Sequence, residues 1–349
     1  MDSQLEISKI KQKLAERKTL RIRQQLSSLR RVHKNCSHSK LFTAVNIKAS
    51  KIPGLFKFYT GFNFLAFISL FNCLVPSPDT LPFKWPRNLP SLARLTPVDQ
   101  FFMVLCRLRH GFPFKDLACR FTVSHQDLSV IFSTWINFIY FTFGSIPIWP
   151  HRNVILSQMS TKFMQSFPKT MAIIDATEIK IQRPSSLVSQ SESYSDYKSS
   201  NTLKALIAVD SRGSLMFISS LFSGNISDNR LTHDSGLLKL LHDLRNACYL
   251  KDGDDVMADK GFTNVLDFRA IGLNLTVPPF VKCDQMSPSD VIKTREIASH
   301  RIVVERAIAR IKSFKILSRQ VDICNLTNFN QMWFVCAFLT TFQQPLLQH

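Results

Sequence analysis

"MAIIDATEIKIQRP", residues 171–184, sets the apolar run Met171-Ala172-Ile173-Ile174 directly before Asp175, with Glu178 three residues further on. A run of this kind reads as a buried strand. Burying an unpaired carboxylate costs several kcal/mol or more (roughly, by water-to-apolar transfer), so Asp175 needs a neutralising neighbour. That neighbour is either a partner side chain or a metal ion.

Downstream, the pattern is that of alternating strands and helices. "TLKALIAVDSRGSLMFISS", residues 202–220, is two strands around the hairpin signal Asp210-Ser211-Arg212-Gly213. "DNRLTHDSGLLKLLHDL" reads as one amphipathic helix, "DDVMADKGF" as a turn and a short strand ending on Asp259, and "LNLTVPPF" as another strand. Residues 289–313 form a long helix. This order predicts an α/β layout in which Asp175 and Asp259 stand at strand ends, where a mostly parallel sheet places its sites.

Two aspartates hold a divalent ion well only with a further ligand. The last long helix offers Glu305 in "RIVVERAIARIK", four residues after Arg301 and seven before Lys312. At about 100° per residue these three lie within about 40° of one another on the helix. Val304, Ile308 and Ile311 form the adjoining apolar stripe, which puts Glu305 at its margin. The alternative is an exposed Glu305 paired only with Arg301 at i−4.

Upstream, "LTPVDQFFMVLCRLRHG" carries the signals of a complete helix: Thr96 as cap, Pro97 at the first position, Asp99 after it and Gly111 to close. A short helix in "PFKDLACRF", the turn Thr122-Val123-Ser124 and a long helix capped by Ser124 complete a helix-turn-helix pattern. The exposed positions at the start of its last helix are His125, Gln126 and Asp127, none of them basic, so a purely structural three-helix unit is the alternative. Residues 1–50 hold twelve Lys/Arg against three Asp/Glu and read as a basic helical or coiled-coil arm, or as a solvated tail. The domain division is then 1–50, 51–165 and 166–349.

The formal net charge of +19 points to a polyanionic partner, nucleic acid before membrane. Two stretches lack charge, residues 58–78 and 128–150. Both are interrupted by polar and turn residues, which predicts buried core helices and no membrane span. Residues 1–20 are charged throughout, which predicts no signal peptide. The eight scattered cysteines read as reduced residues of an intracellular protein. The one metal-like cluster, His33, Cys36 and His38, supplies too few ligands for a zinc site.

These motifs together resemble a known family. "IIDATEIKIQRPSS", "SYSDYKSSNTLKALIAVDSRGSLMFISSLFSGNISDNRLT", "DDVMADKGF" and "RIVVERAIARIKSFKIL" look like the DDE superfamily endonuclease domain of Harbinger-type transposases, animal versions especially. "LTPVDQFFMVLCRLRHGFPFKDLACRFTVS" and the segment after it look like the helix-turn-helix that precedes that nuclease. The resemblance runs from about residue 55 to the C-terminus.

It implies a ribonuclease-H-like catalytic fold and a D-D-E triad, carried over to Asp175, Asp259 and Glu305, with two Mg²⁺ (or Mn²⁺) ions. Related transposases carry Y-x2-R-x3-E-x6-K on the helix. Arg301, Glu305 and Lys312 fit it, with Arg301 and Lys312 as DNA phosphate contacts, but Ala298 replaces the tyrosine. Glu178 and Asp228 rank as surrounding acids. The implied function is a metal-dependent, transposase-derived DNA endonuclease in the nucleus, acting on transposon ends or target DNA as a homo-oligomer. The alternative is a domesticated, non-catalytic descendant that binds DNA or protein. Animal relatives often begin with a zinc-binding THAP-type module. No such Cys/His set occurs here, so the chain is a fragment or a partner protein supplies DNA specificity.

Overall fold

The computed structural model describes residues 42–76, 81–89, 95–280, 287–343 and 346. Residues 1–41, with most of the basic arm and the His33-Cys36-His38 cluster, lie outside them. The chain divides into two compact units, Met1–Lys51 and Ile52–His349. In the first, helix α1 (Ala44–Lys48) is capped by Thr43, which accepts from the Asn46 N–H. The second carries a helical layer followed by a mixed sheet flanked by helices.

The helical layer comprises α2 (Leu55–Thr60), α3 (Phe64–Leu74), α4 (Pro97–His110), α5 (Phe114–Phe121) and α6 (His125–Gly144). Its boundaries follow local chemistry. Thr96 accepts from the Asp99 N–H, and Gly111 closes α4 with φ 63°, a left-handed conformation that glycine adopts without strain. Ser124 caps α6 by accepting from the Asp127 N–H. The uncharged stretches supply an aromatic core in which Phe67 and Trp135 both pack on Phe101, with centroids 5.3 and 5.7 Å away. The Trp135 indole donates to Gln100 at 3.0 Å, which satisfies its buried N–H. No helix among the described residues is long and apolar enough to cross a membrane. One expectation fails here. Asp127 is buried, its carboxylate 3.4 Å from Arg87, so it is no exposed base-reading position.

Two short helices, α7 (Arg152–Ser157) and α8 (Thr161–Ser166), lead into the sheet. Its strands are β1 (Thr170–Lys180), β2 (Tyr194–Ser195), β3 (Ser200–Val209), β4 (Leu215–Ile218), β5 (Phe222–Ser223), β6 (Asp255–Met257) and β7 (Asn274–Thr276). The order is β2-β3-β1-β6-β7, with β4 and β5 also on β3. β1 runs antiparallel to β3 but parallel to β6, and β6 parallel to β7. The sheet is therefore mixed where a mostly parallel one was expected: β3 returns antiparallel to β1 after the excursion 181–199, and the tight hairpin into β4 can join only antiparallel strands. That hairpin is set by Asp210, whose Oδ1 accepts from the Arg212 and Ser214 N–H groups at 2.8 Å each.

The remaining helices are α9 (Leu187–Ser193), α10 (Asp228–Asp234), α11 (Leu237–Asn246), α12 (Val265–Ala270), α13 (Pro288–Lys312), α14 (Lys315–Ser318) and α15 (Phe329–Leu339). The helix expected over 228–244 is two, α10 and α11, parted at Gly236 with φ 79°. α13 packs against β1 and β3 and brings the third carboxylate to the sheet.

Candidate active site

Asp175 does not end its strand. β1 continues to Lys180, paired to Thr202 of β3. What stops is the neighbour on the other side, since the parallel ladder with β6 ends at Ile173↔Met257. Asp175 and Asp259 each lie two residues beyond that pair. Asp259 is already past the end of β6, and the two carboxylates come together beside the corner that β6 leaves open, on a single guanidinium. Asp175 Oδ1 accepts from the Ala176 N–H at 2.9 Å, and Asp259 Oδ1 from the Lys260 N–H at 2.7 Å.

The neutralising partner that the sequence calls for is Arg301 on α13. Its Nη1 donates to Asp259 Oδ1 at 2.9 Å, and its Nη2 lies 3.6 Å from Asp175 Oδ1. Arg301 is buried, not placed on the surface as a phosphate contact, and its Nε has no hydrogen-bond partner. Neutralisation of Asp175 is incomplete. Burial pushes its carboxyl up to about 6; the Arg301 charge opposes this, while the Asp259 and Glu305 charges add to it.

Glu305 is exposed and near enough for its charge to act on Asp175. The ion-pair partners of Arg301 are the two aspartates, so the simple Arg301–Glu305 surface pair is not what forms. Among the described residues, no three His, Cys, Asp or Glu side chains are grouped to hold a metal ion. The structure thus joins Asp175 and Asp259 on one guanidinium and leaves Glu305 beside them.

Lys312, at the end of α13, donates to the Glu178 carbonyl oxygen at 2.8 Å. Burial and the charge of Lys198 hold its ammonium below the ordinary lysine range. The Glu178 carboxylate accepts from the Thr202 hydroxyl at 2.8 Å. Asp228, at the first turn of α10, pairs with Lys204 at 2.8 Å and presses on Gly261, where an added Cβ would overlap its Oδ2. Asp228 therefore stands close against the loop that carries Asp259.

Asp254 is engaged elsewhere, with Arg152 Nε and Nη2 each 2.9 Å from its carboxylate oxygens. Two basic residues were thus not legible as site or scaffold groups. Lys204 carried a signal, a lone charge inside the apolar run of β3; Arg152 carried none.

Comparisons with known proteins place two segments of the chain in described families. Residues 174–341 match the family model described as DDE superfamily endonuclease. Residues 93–145 match that of the helix-turn-helix of DDE superfamily endonuclease. A curated relative, the probable transposase for insertion sequence element IS702 of Microchaete diplosiphon, is 28% identical over 152 residues. The match covers 44% of this chain and 50% of that protein, so the chain spans about half the length of the curated relative it matches. No solved structure matches.

Proposed function

We propose that this chain, which belongs to the DDE superfamily endonucleases, is a transposase-derived nuclease that cleaves DNA phosphodiester bonds with Asp175, Asp259 and Glu305. The observation that carries the reading is the shared cation: a carboxylate inside β1 and a second one two residues past the end of the parallel strand β6, both held by the buried Arg301. A simple ion pair sets one acid against one base. A second acid beside Asp175, which burial already makes reluctant to ionise, is an arrangement that calls for more positive charge than the chain supplies.

The donor set fits hard divalent cations such as Mg²⁺ or Mn²⁺, which prefer carboxylate oxygen. When bound, two such ions supply Lewis acidity to the attacking water and the departing oxygen of an in-line displacement. The chain's own residues do the rest. Arg301 limits the repulsion between Asp175 and Asp259 before DNA arrives. The Lys204–Asp228 pair fixes the Asp259 loop, and Lys312 brings an ammonium to within a few residues of Asp175 along β1. The sheet supports a ribonuclease-H-like assignment, with the first-aspartate strand central, antiparallel strands on one side and two parallel strands on the other. The Harbinger type, a nuclear site of action, homo-oligomerisation and DNA as partner of the helix-turn-helix belong to the same proposal.

The test is nicking of supercoiled plasmid with Mg²⁺ or Mn²⁺, comparing wild type with Asp175→Asn, Asp259→Asn and Glu305→Gln. Each variant is expected to lose nicking by at least about a hundredfold, on the scale of one catalytic group. Equal nicking by wild type and all three variants would sink the assignment. DNA binding without nicking by the wild type would favour the non-catalytic descendant.

A further inference from the structure

β1 extends beyond the carboxylates towards a cleft. At a rise of about 3.3 Å per residue, Glu178 lies roughly 10 Å and Ile181 roughly 20 Å along the strand from Asp175. At the nearer point the Lys312 ammonium sits on the Glu178 carbonyl. At the farther one opens a cleft of about 790 Å³ lined by Arg183, Leu187, Tyr194, Asn201 and Gln320 among others.

One wall of the cleft is the excursion between β1 and β3, made of α9, β2 and the turn 196–199. The turn is tight: the Lys198 N–H donates to Ser195 Oγ at 3.3 Å, the Ser199 N–H to the Asp196 carbonyl at 3.3 Å, and Ser199 takes φ 48°. It presents Tyr197, 85% exposed, with the Lys198 ammonium 4.4 Å from the centre of its ring. The Lys198 charge in turn acts on Lys312. Neither ammonium forms an ion pair with a carboxylate among the described residues. The Glu178 and Asp175 charges offset part of that repulsion on Lys312, and a phosphate placed by the two ammonium groups would offset more.

We propose that the cleft and the Tyr197–Lys198 turn bind an unpaired nucleotide of the DNA strand that is cut, with its phosphates on Lys312 and Lys198 and its base on Tyr194 or Tyr197. This rests on the reading of Asp175 and Asp259 as the cutting centre. The nucleotide must be unpaired, because a base stacked in a duplex presents no face to a tyrosine. Recognition is by stacking and not by base edge. The Asn201 Nδ2 group, one obvious edge reader, already donates to the Gln190 carbonyl and the Ser193 hydroxyl, both at 2.8 Å. Stacking of this kind is tolerant of base identity.

The experiment measures binding of the full chain, in EDTA so that nothing is cut, to a blunt duplex and to the same duplex with a 3′ or a 5′ single-stranded extension. Wild type should prefer one extended form. Tyr197→Ala and Tyr194→Ala should lose about fivefold or more of affinity for it while binding the blunt duplex unchanged. Tyr197→Phe should keep the preference. Lys198→Ala should lower the slope of log K against log salt for the extended form by roughly 0.7, and Lys198→Arg should not. Since Tyr197 is almost wholly exposed, its variants fold regardless. Equal binding of blunt and extended DNA by wild type, or an unchanged preference in both Tyr→Ala variants, overturns the proposal. A preference that persists in a protein unable to nick plasmid keeps the strand site and removes the cutting centre instead.

Discussion

The Arg301 guanidinium donates to Asp259 at 2.9 Å while staying 3.6 Å from Asp175. The cation is shared unequally, and the more buried of the two acids gets the looser contact.

Asp175→Asn should therefore abolish nicking and yet stabilise the metal-free protein at neutral pH. The folded carboxyl titrates at about 6 against 3.8, so the folded chain binds this proton more tightly than the unfolded one. Its contribution is favourable below about pH 4, fades as pH rises, and is lost above about 6. In EDTA the variant should gain about 1–3 kcal/mol at pH 7.5 relative to wild type, and little at pH 4. Urea denaturation at both pH values is the measurement. A loss of stability at pH 7.5 contradicts the desolvation account.

Arg301→Gln should expose the repulsion that the guanidinium hides. Breaking a buried ion pair on one side costs about 3–5 kcal/mol; here only Asp175 is left largely buried, Asp259 being half exposed, so the cost falls towards the lower end. Mg²⁺ should raise the melting temperature of this variant more than that of wild type, because any cation at the aspartates then does the work of the missing one. The same Mg²⁺ response in both proteins would separate the metal site from Arg301.

Gly261→Ala should reduce nicking by tenfold or more on the order of a small misplacement of Asp259, since its Cβ runs into Asp228. Shortening the obstacle tests the cause. In the Gly261→Ala/Asp228→Ser double variant the two effects should not add. Strict additivity would mean that Asp228 does not buttress the Asp259 loop.

Arg152→Ala should destabilise the fold by about 3–5 kcal/mol through the stranded Asp254, whose side chain is 3% exposed. Specific activity per folded molecule should survive. Thermal melts together with nicking below the transition distinguish this from a catalytic effect.

Deleting residues 1–50, which carry twelve Lys/Arg, should flatten the salt dependence of DNA binding by roughly 0.9 per lost phosphate contact on duplex. It should weaken all sequences alike. An unchanged slope makes the arm a protein-interaction segment.

Much of this molecule could be read locally, and what could not was decided by partners distant in sequence. The caps of α4 and α6 and the Asp210 hairpin are written in adjacent residues, and each formed where its residues predicted. The position of Asp175 within its strand was illegible, because β6 and not β1 decides where the parallel pairing stops. Gly236 sat visibly inside an apolar helical repeat, where continued periodicity masked a break. Asp127 read as exposed because its partner Arg87 is forty residues away. Arg301 read as a phosphate ligand because nothing in the helix alone shows which way a guanidinium will turn.

α13 carries Arg301, Glu305 and Lys312 on one uninterrupted rod, whereas Asp175 and the Glu178 carbonyl belong to β1. The two elements advance by about 1.5 and 3.3 Å per residue, and they meet correctly at only one alignment. Losing a single codon between Glu305 and Lys312 would swing the lysine through about 100° and detach it from Glu178. A point substitution leaves that alignment in place; a single in-frame deletion in this short interval would shift every later residue of the helix against β1 at once.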